Sequence, residues 1–310
     1  MLYYIMSFIK WAGGKGKLSD IIIPFFNFNY ALDLYIEPFV GSGAILFKLR
    51  PKRAIISDIN KNLITTYQVI RSNILELIKL LSLYQDEYLV SLDKKTYYEY
   101  KKNKYNELKN KDVLDNVEIA SLFIFLNKTC FNGIYRENKS GTFNVPWGKN
   151  NKPNICDEPL LLDLSGYLNS ADIQIKHSNY EDILNNLPDN SDTIIYLDPP
   201  YYKTDTSKFT SYSKEAFGLS EQLKLSENLL RFKKVRVFIS NSNCQEVKEL
   251  YSGLKFIELE TRRNLGVNNE DGKSSRGNVI ELFFMPLDSY IDRIINAIKI
   301  ELSKLNQTNK

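Results

Sequence analysis

The stretch Thr193-Ile194-Ile195-Tyr196-Leu197-Asp198-Pro199-Pro200-Tyr201 decides how this sequence is interpreted. Its first five residues form a short, β-rich apolar run, which is typical of a buried strand. A carboxylate, two rigid prolines and an aromatic ring then follow at the strand end, where α/β sheets bind their ligands. Because proline lacks an N–H, this loop offers acceptors to an amino group and a ring face to the base that carries it. The stretch fits methyl transfer to an exocyclic amine, although Asp-Pro-Pro alone also fits an ordinary turn.

The composition fits a globular protein without a redox or metal centre. The 310 residues are 43% hydrophobic and 25% charged, which allows one large α/β domain with an insertion, or two domains. A net charge of +4 permits a polyanionic partner. The scattered cysteines Cys130, Cys156 and Cys244 predict reduced thiols and no zinc site. His177 is the single histidine, which excludes a histidine-based triad. No signal peptide or membrane span is indicated, so we expect a cytoplasmic protein.

The chain alternates between strand and helix patterns in two separated blocks. A strand over 32–37 leads into the turn Gly41-Ser42-Gly43, a helix that runs through Leu49, and a strand from Arg53 that ends at Asp58. Further strands are predicted over 173–176, 193–197, 235–239, 256–260 and 279–284. The pattern predicts an α/β fold with a Rossmann-like sheet, assembled from residues 1–61 and 163–289.

Residues 62–162 interrupt this alternation and predict a mostly helical insertion. Helical periodicity covers 63–83, and an apolar helix is predicted over 119–126. The segment 94–111 is rich in lysine and tyrosine, which favours a solvated helix face over a nucleic-acid-binding face. A C-terminal helix and tail, 290–310, carries apolar residues on one side, so we expect it to pack on the core.

The first strand–turn–helix unit predicts a nucleotide-type cofactor site. Gly41-Ser42-Gly43 can cradle a nucleotide or form a plain tight turn. Leu46 stands where a dinucleotide fingerprint has its third glycine, and Glu37 would repel phosphates, so both residues disfavour an NAD oxidoreductase. Asp58 can accept ribose hydroxyls or cap a helix. With the stacking face of Trp11 upstream, these groups match S-adenosylmethionine.

Five segments of the chain resemble one family when they are taken together. They are FIKWAGGK (8–15), IEPFVGSGAIL (36–46), SDIN (57–60), FNGIYRENKSGTFNVPWG (131–148) and DPPYY (198–202). In this order they are similar to the alpha group of Dam-type DNA adenine-N6 methyltransferases. The resemblance implies an S-adenosylmethionine-dependent methyltransferase sheet with an inserted target-recognition domain over 62–162. It also implies double-stranded DNA as partner, a flipped adenine, no metal and, in several members, recognition of GATC.

The resemblance assigns roles residue by residue. The cofactor positions are Trp11, Lys15, Glu37, Phe39, Gly41, Asp58 and Asp198, and the catalytic positions are Asp198, Pro199, Pro200 and Tyr201. The DNA positions are Lys10, Phe131, Asn132, Ile134 and Arg136. A guanidinium such as that of Arg136 meets the guanine edge with two hydrogen bonds. Phe131 stands where the family often has tyrosine, which keeps the wedge beside the flipped base and loses the hydroxyl.

The sequence therefore predicts methyl transfer from S-adenosylmethionine to N6 of a flipped adenine in duplex DNA, within GATC. The alternatives are cytosine-N4 methylation, which a serine before the two prolines would favour, and a non-catalytic DNA-binding module on the same fold. A bacterial or phage-type enzyme is expected, and a monomer suffices because each visit flips one base. The alternatives for its context are a cognate restriction endonuclease acting independently, a phage, or a role in repair and regulation. In the segment 264–276 the acidic pair Glu270-Asp271 predicts weakened phosphate contacts.

Overall fold

A computed structural model describes residues 7–29, 33–109, 116–202, 217–262, 278–287, 291 and 294–295. Within these residues the strands are β1 (Leu34–Glu37), β2 (Arg53–Asp58), β3 (Asp172–His177), β4 (Thr193–Leu197), β5 (Arg236–Ser242), β6 (Lys255–Arg262) and β7 (Asn278–Met285). The helices are α1 (Ser19–Ile22), α2 (Ala44–Leu49), α3 (Lys61–Ser72), α4 (Ile74–Val90), α5 (Lys94–Leu108), α6 (Asn116–Thr129), α7 (Glu158–Ser170), α8 (Tyr180–Asn185), α9 (Leu219–Leu229) and α10 (Gln245–Leu250). Each strand predicted from the apolar runs is present, shifted by at most a few residues at its ends.

The strands form a single mixed sheet in the order β3-β2-β1-β4-β5-β7-β6. The five strands from β3 to β5 are parallel, whereas β7 pairs antiparallel with both β5 and β6. The chain moves outward in one direction from β1 and in the other direction from β4. A crevice therefore opens between the carboxyl ends of β1 and β4, which is the topological switch point of a Rossmann-like fold.

Alternating side chains of the strands build two apolar clusters on opposite faces of the sheet. In β4, Ile194 and Tyr196 join one cluster, while Ile195 and Leu197 join the other. Helices α8, α9 and α10 cover the second face with buried residues such as Leu225. The first face is covered by α1, α2, α3 and α7. Both faces being covered explains why β4 is apolar throughout instead of alternating.

The inserted region is helical and shares its core with the sheet. Helix α6 is buried along most of its length and contacts α3, α4 and α5. Tyr98 and Tyr105 of α5 point into this core, as expected for a helix with one solvated face. The helical periodicity over 63–83 belongs to two helices, α3 and α4, because Asn73 leaves the helical region at φ −134° between them. The domain limits at residues 61/62 and 162/163 stay predictions, since the core cluster is continuous across them.

Two predicted features fall largely outside the described residues. The acidic segment 264–276 is one of them. The C-terminal helix is the other, although Ile291 is buried and Ile294 and Ile295 pack against the core cluster. Among the described helices, none is long and apolar enough to cross a membrane.

Candidate active site

The loop Asp198-Pro199-Pro200-Tyr201 begins directly after β4, at the switch point. Two neighbouring elements brace it. The carbonyl of Pro200 accepts a hydrogen bond from Nε2 of Gln222 (3.0 Å), and Gln222 on α9 is fully buried. The carbonyl of Tyr202 accepts one from the hydroxyl of Ser242 on β5 (2.8 Å). These two hydrogen bonds hold the loop 198–201, called the acceptor loop below, at the carboxyl end of the central strand β4.

Strand alternation places three acidic side chains on the same face of the sheet. Glu37 ends β1 two residues after Tyr35, and Asp198 follows β4 two residues after Tyr196; both tyrosines belong to the first-face cluster. Glu281 lies on β7 two residues before Phe283 of the same cluster, at the level of Ser242 on β5. Because β7 runs antiparallel, its N-terminal half lies at the edge where the parallel strands end. The crevice thus gathers carboxyl groups from three strands.

Lys15 joins two of these carboxyl groups. Its ammonium lies 2.8 Å from both carboxylate oxygens of Asp198 and 3.6 Å from Oε2 of Glu281. It also donates to the carbonyl of Gly13 (2.6 Å) and lies 4.9 Å from the centroid of the Tyr201 ring. The hydroxyl of Tyr201 donates to Oε2 of Glu281 (2.7 Å). The Lys15 side chain is only 3% exposed, so its charge is compensated inside the protein.

Burial shifts the pKa values of the carboxyl groups upward. Loss of solvent raises the pKa of Asp198 to about 6, against the opposite effect of the Lys15 ammonium. Burial also raises the pKa of Glu37 well above its ordinary value, despite a hydrogen bond from the hydroxyl of Tyr35 (3.0 Å). A cation entering the crevice would favour the ionised carboxylates. The site is therefore electrostatically suited to a positively charged ligand.

The turn after β1 is held from three sides. Gly41 has a left-handed φ of +48°, and a Cβ at this position would come within 2.7 Å of Cδ1 of Trp11. Its N–H donates to Oδ2 of Asp58 (3.1 Å), and its carbonyl accepts from the hydroxyl of Tyr67 (2.9 Å). The other carboxylate oxygen of Asp58 accepts from the N–H of Asn60 (2.9 Å). Burial raises the pKa of Asp58 to about 6. Asp58 thus fixes the glycine turn as well as facing the crevice edge.

The aromatic residues predicted for the cofactor site lie in two places. Trp11 packs against Gly41 on one side and stacks on Tyr135 of the insertion on the other, with ring centroids 5.9 Å apart. Phe39 stacks instead on Tyr180 (5.3 Å), among residues of the second-face cluster. The structure therefore brings Trp11 together with Gly41 and Asp58, and it places Phe39 on the far side of the β1 loop.

Four of the residues predicted to touch DNA lie in or shortly after the turn Phe131–Gly133 of the insertion, and Lys10 approaches this turn from the N-terminal segment. Phe131 is 47% exposed, and Arg136 is exposed with its Nε donating to Oδ1 of Asn144 (2.8 Å). Asn132 has a left-handed φ of +56° within the turn Phe131–Gly133, and Ile134 follows the turn, half-buried. Lys10 is exposed and approaches Gly133, where a Cβ would come within 2.6 Å of Cδ of Lys10. One surface thus combines a protruding ring with cationic side chains.

Asn127 connects that surface with the cofactor side. Its Oδ1 accepts from the N–H of Lys10 (2.8 Å), and its Nδ2 donates to the carbonyls of Lys10 (2.7 Å) and Gly133 (3.0 Å). Neither Asn127 nor Glu281 was predicted from the sequence as a residue of the site. A polar residue at the end of the apolar α6 pattern, and an acid within the apolar β7 pattern, were the available signals.

The fold and this site define a class, that of Rossmann-like methyltransferases. A sequence profile of the D12 class of N6 adenine-specific DNA methyltransferases matches residues 11–265. The chain belongs to this family, which includes the Dam enzymes, and it is an adenine-specific DNA methyltransferase. The family implies S-adenosylmethionine as methyl donor and DNA as substrate.

Several characterised proteins are similar to the chain along nearly their whole length. The type II methyltransferase M.MjaIII of Methanocaldococcus jannaschii is 37% identical, over 91% of this chain and 99% of that protein. The type II methyltransferase M1.LlaDCHI of Lactococcus lactis subsp. cremoris is 34% identical, over 89% and 93%. The DNA adenine methylase of Escherichia coli (strain K12) is 30% identical, over 84% and 90%. Restriction-modification methyltransferases are therefore among the relatives.

Proposed function

We propose that this chain transfers the methyl group of S-adenosylmethionine to N6 of an adenine that it flips out of duplex DNA, within the sequence GATC. The observation that carries the proposal is the position of Asp198. Its carboxylate lies at the switch point, held by Lys15, on a proline loop that ends in the ring of Tyr201. A carboxylate and an aromatic ring so arranged suit an amino group on a flat base.

The residues around Gly41 fit the cofactor. The indole of Trp11 occupies the space that a Cβ at Gly41 would need, so the glycine lets this ring lie directly against the turn where we place the cofactor. Asp58 offers carboxylate oxygens to ribose hydroxyls, and Glu37 offers a buried carboxyl group to a cationic amino group. Lys15 completes the proposed set, together with Phe39 as the resemblance assigns it, although the Phe39 ring packs on Tyr180 in the second-face cluster. When bound, the cofactor supplies a methyl group activated by a sulfonium.

The acceptor loop prepares the amino group. Adenine N6 is a weak nucleophile because its lone pair is delocalised into the ring. Hydrogen bonds from N6–H to the carboxylate of Asp198 and the carbonyl of Pro199 would pyramidalise the nitrogen and localise that pair. Stacking on Tyr201 contributes about 1–3 kcal/mol, on the scale of bases on aromatic side chains. The brace from Gln222 to Pro200 keeps these groups in place without reorganisation.

The insertion surface supplies the DNA contacts. Extrusion of a base costs on the order of a few kcal/mol, which a wedge in the vacated stack offsets. Phe131 protrudes enough to act as this wedge. We assign the guanidinium of Arg136, whose Nε donates to Oδ1 of Asn144, to a guanine edge. Lys10, Asn132 and Ile134 are assigned to the DNA backbone and the neighbouring base edges. The proposal of GATC rests on the family resemblance, and Arg136 is the residue that we assign to its guanine.

Transfer of a labelled methyl group tests the proposal. Duplexes carrying one GATC, one GTTC or neither are incubated with S-adenosylmethionine, and label is counted in each. We expect label in the GATC duplex alone, and none with Asp198→Asn. Arg136→Ala should lower the preference for GATC over AATT, in which both guanines are replaced, by about 10–100-fold, the value of one bidentate base contact. Lys139→Ala, a change at an exposed cationic residue of the same segment, is the matched control.

Each outcome has a separate meaning. Equal label in all adenine-containing duplexes would keep the enzyme class and refute GATC. A preference unaffected by Arg136→Ala would refute the assigned contact. Protection of GATC plasmids from an endonuclease that cleaves only unmethylated sites would support a role beside a cognate restriction endonuclease. Sedimentation equilibrium of the protein with one duplex tests action as a monomer, because the mass of the complex gives the number of chains bound to each DNA.

A further inference from the structure

Among the described residues, the ammonium of Lys15 lies within 4 Å of two carboxyl groups, those of Asp198 and Glu281. Neither the resemblance nor the proposed mechanism gives a role to Glu281. It lies on β7, which follows all five parallel strands in the sequence. Its side chain is 12% exposed and points to the same face as Asp198. An acid at such a position requires compensation, because a buried unpaired carboxylate is strongly unfavourable.

Two partners compensate Glu281, and both belong to the acceptor site. The hydroxyl of Tyr201 donates to its Oε2 at 2.7 Å, and the ammonium of Lys15 lies 3.6 Å from the same oxygen. The Tyr201 ring is thus fixed at both ends, by the proline loop at its backbone and by Glu281 at its hydroxyl. The face it presents to a base is set by this second attachment.

The charge of Glu281 also acts on Asp198. One ammonium, that of Lys15, is shared by two carboxyl groups. Repulsion from Glu281 contributes to the raised pKa of Asp198, in the direction opposite to Lys15. The other titratable groups that face Asp198 are Tyr201 from its own loop, Glu37 from β1 and Tyr196 from β4.

We propose that Glu281 is a positioning residue for the transfer reaction, which orients the Tyr201 ring through its hydroxyl and divides the charge of Lys15 with Asp198. This role rests on the proposed function of the Asp198–Tyr201 loop. It makes β7 a functional part of the site, although no residue of β7 is assigned to catalysis or binding by the motifs.

Paired substitutions separate the two parts of this role. Glu281→Gln keeps an oxygen that accepts from the Tyr201 hydroxyl and removes the charge. Glu281→Ala removes both, and Tyr201→Phe removes only the hydroxyl. Glu258→Gln, a change of an exposed carboxylate on the adjacent strand β6, is the matched control. Binding of S-adenosylhomocysteine and thermal melting establish that each variant is folded.

The readouts are the pH dependence of kcat/KM and the kcat at pH 8. In Glu281→Gln the acid limb should move to lower pH by about half a unit or more, because a like charge near Asp198 is gone. In Glu281→Ala the kcat should fall by about tenfold or more, as for loss of a hydrogen bond to a charged group. The double variant Tyr201→Phe/Glu281→Ala should have a kcat no lower than that of the more impaired single variant, because the two groups act as a unit.

The contrary results are distinct. An acid limb unchanged in Glu281→Gln, or multiplicative losses in the double variant, would overturn the positioning role while leaving the methyl transfer intact. Equal changes of kcat and of the acid limb in Glu258→Gln would also overturn it, since removal of a carboxylate anywhere on the β6–β7 pair would then have the same effect. Absence of methyl transfer in the unmodified protein would refute the proposed function, and the role of Glu281 with it.

Discussion

Replacement of Asn127 by alanine should weaken both the fold and the cofactor site. The side chain is buried, and its three hydrogen bonds join the backbone of Lys10, 117 residues away in the sequence, to the carbonyl of Gly133. Alanine leaves one N–H and two carbonyls of the backbone without these partners. At about 1 kcal/mol for each net hydrogen bond, the free energy of unfolding should fall by about 2–4 kcal/mol.

The assay combines urea unfolding, calorimetry and steady-state kinetics. For a chain of this length each kcal/mol lowers Tm by about 2 °C, so we expect a decrease of about 4–8 °C. The KM for S-adenosylmethionine should rise as well, because Trp11 directly follows Lys10 and packs on Gly41. Gln68→Ala, on the exposed face of α3, is the control and should stay within about 0.5 kcal/mol.

Two results would refute this reasoning. A loss of stability under about 1 kcal/mol in Asn127→Ala would mean that water replaces the three hydrogen bonds at little cost. A full loss of stability with an unchanged KM for the cofactor would mean that the position of Trp11 does not depend on the Lys10 backbone. The first result concerns the free energy that the Asn127 hydrogen bonds contribute, and the second concerns their effect on cofactor binding.

The other predictions concern the crevice itself. The pKa of Asp198 is raised to about 6, and only the ionised carboxylate accepts a hydrogen bond from N6–H. A plot of kcat/KM against pH should therefore be flat above pH 6 and fall about tenfold per pH unit below it. A flat profile down to pH 5 would contradict the assigned role. Lys15→Met removes the charge that lowers this pKa, so the acid limb should move to higher pH, as titrated kcat/KM would reveal. Gly41→Ala should raise the KM for S-adenosylmethionine by about tenfold or more, because the new Cβ would lie 2.7 Å from Trp11 and the φ of +48° is strained for alanine. In the control Gly16→Ala the new Cβ has no atom within 4 Å, so its KM should equal that of the unmodified protein.

The sequence was sufficient for the sheet and for the position of the Asp198 loop at its switch point. Apolar runs such as 193–197 are short and β-rich, and burial on both faces leaves them without polar interruptions, so they are detectable one at a time. The acceptor loop and the glycine turn are local patterns as well. Their side chains meet because parallel strands end at one edge, which is a general property of the fold.

The residues that were missed depend on pairing between distant segments. Glu281 reads as a solvent-facing acid in an apolar strand until the antiparallel register of β7 against β5 sets its face. Asn127 reads as the polar end of helix α6 until the loop at Lys10 is folded against it. Phe39 follows β1 as predicted, yet its ring turns toward Tyr180, away from Trp11, because the loop backbone decides which cluster it joins. Such information lies in the register and the loop geometry, which no single segment contains.

The position of β7 has a consequence for synthesis of the chain. Among the described strands, β6 hydrogen-bonds to β7 alone, and β7 is the later of the two to leave the ribosome. A nascent chain that ends before residue 278 therefore holds β6 as an unpaired strand and leaves the outer side of β5 open, a state exposed to edge-to-edge association. The same chain still lacks Glu281. Completion of the sheet and completion of the charge cluster around Lys15 thus occur in a single late step of synthesis.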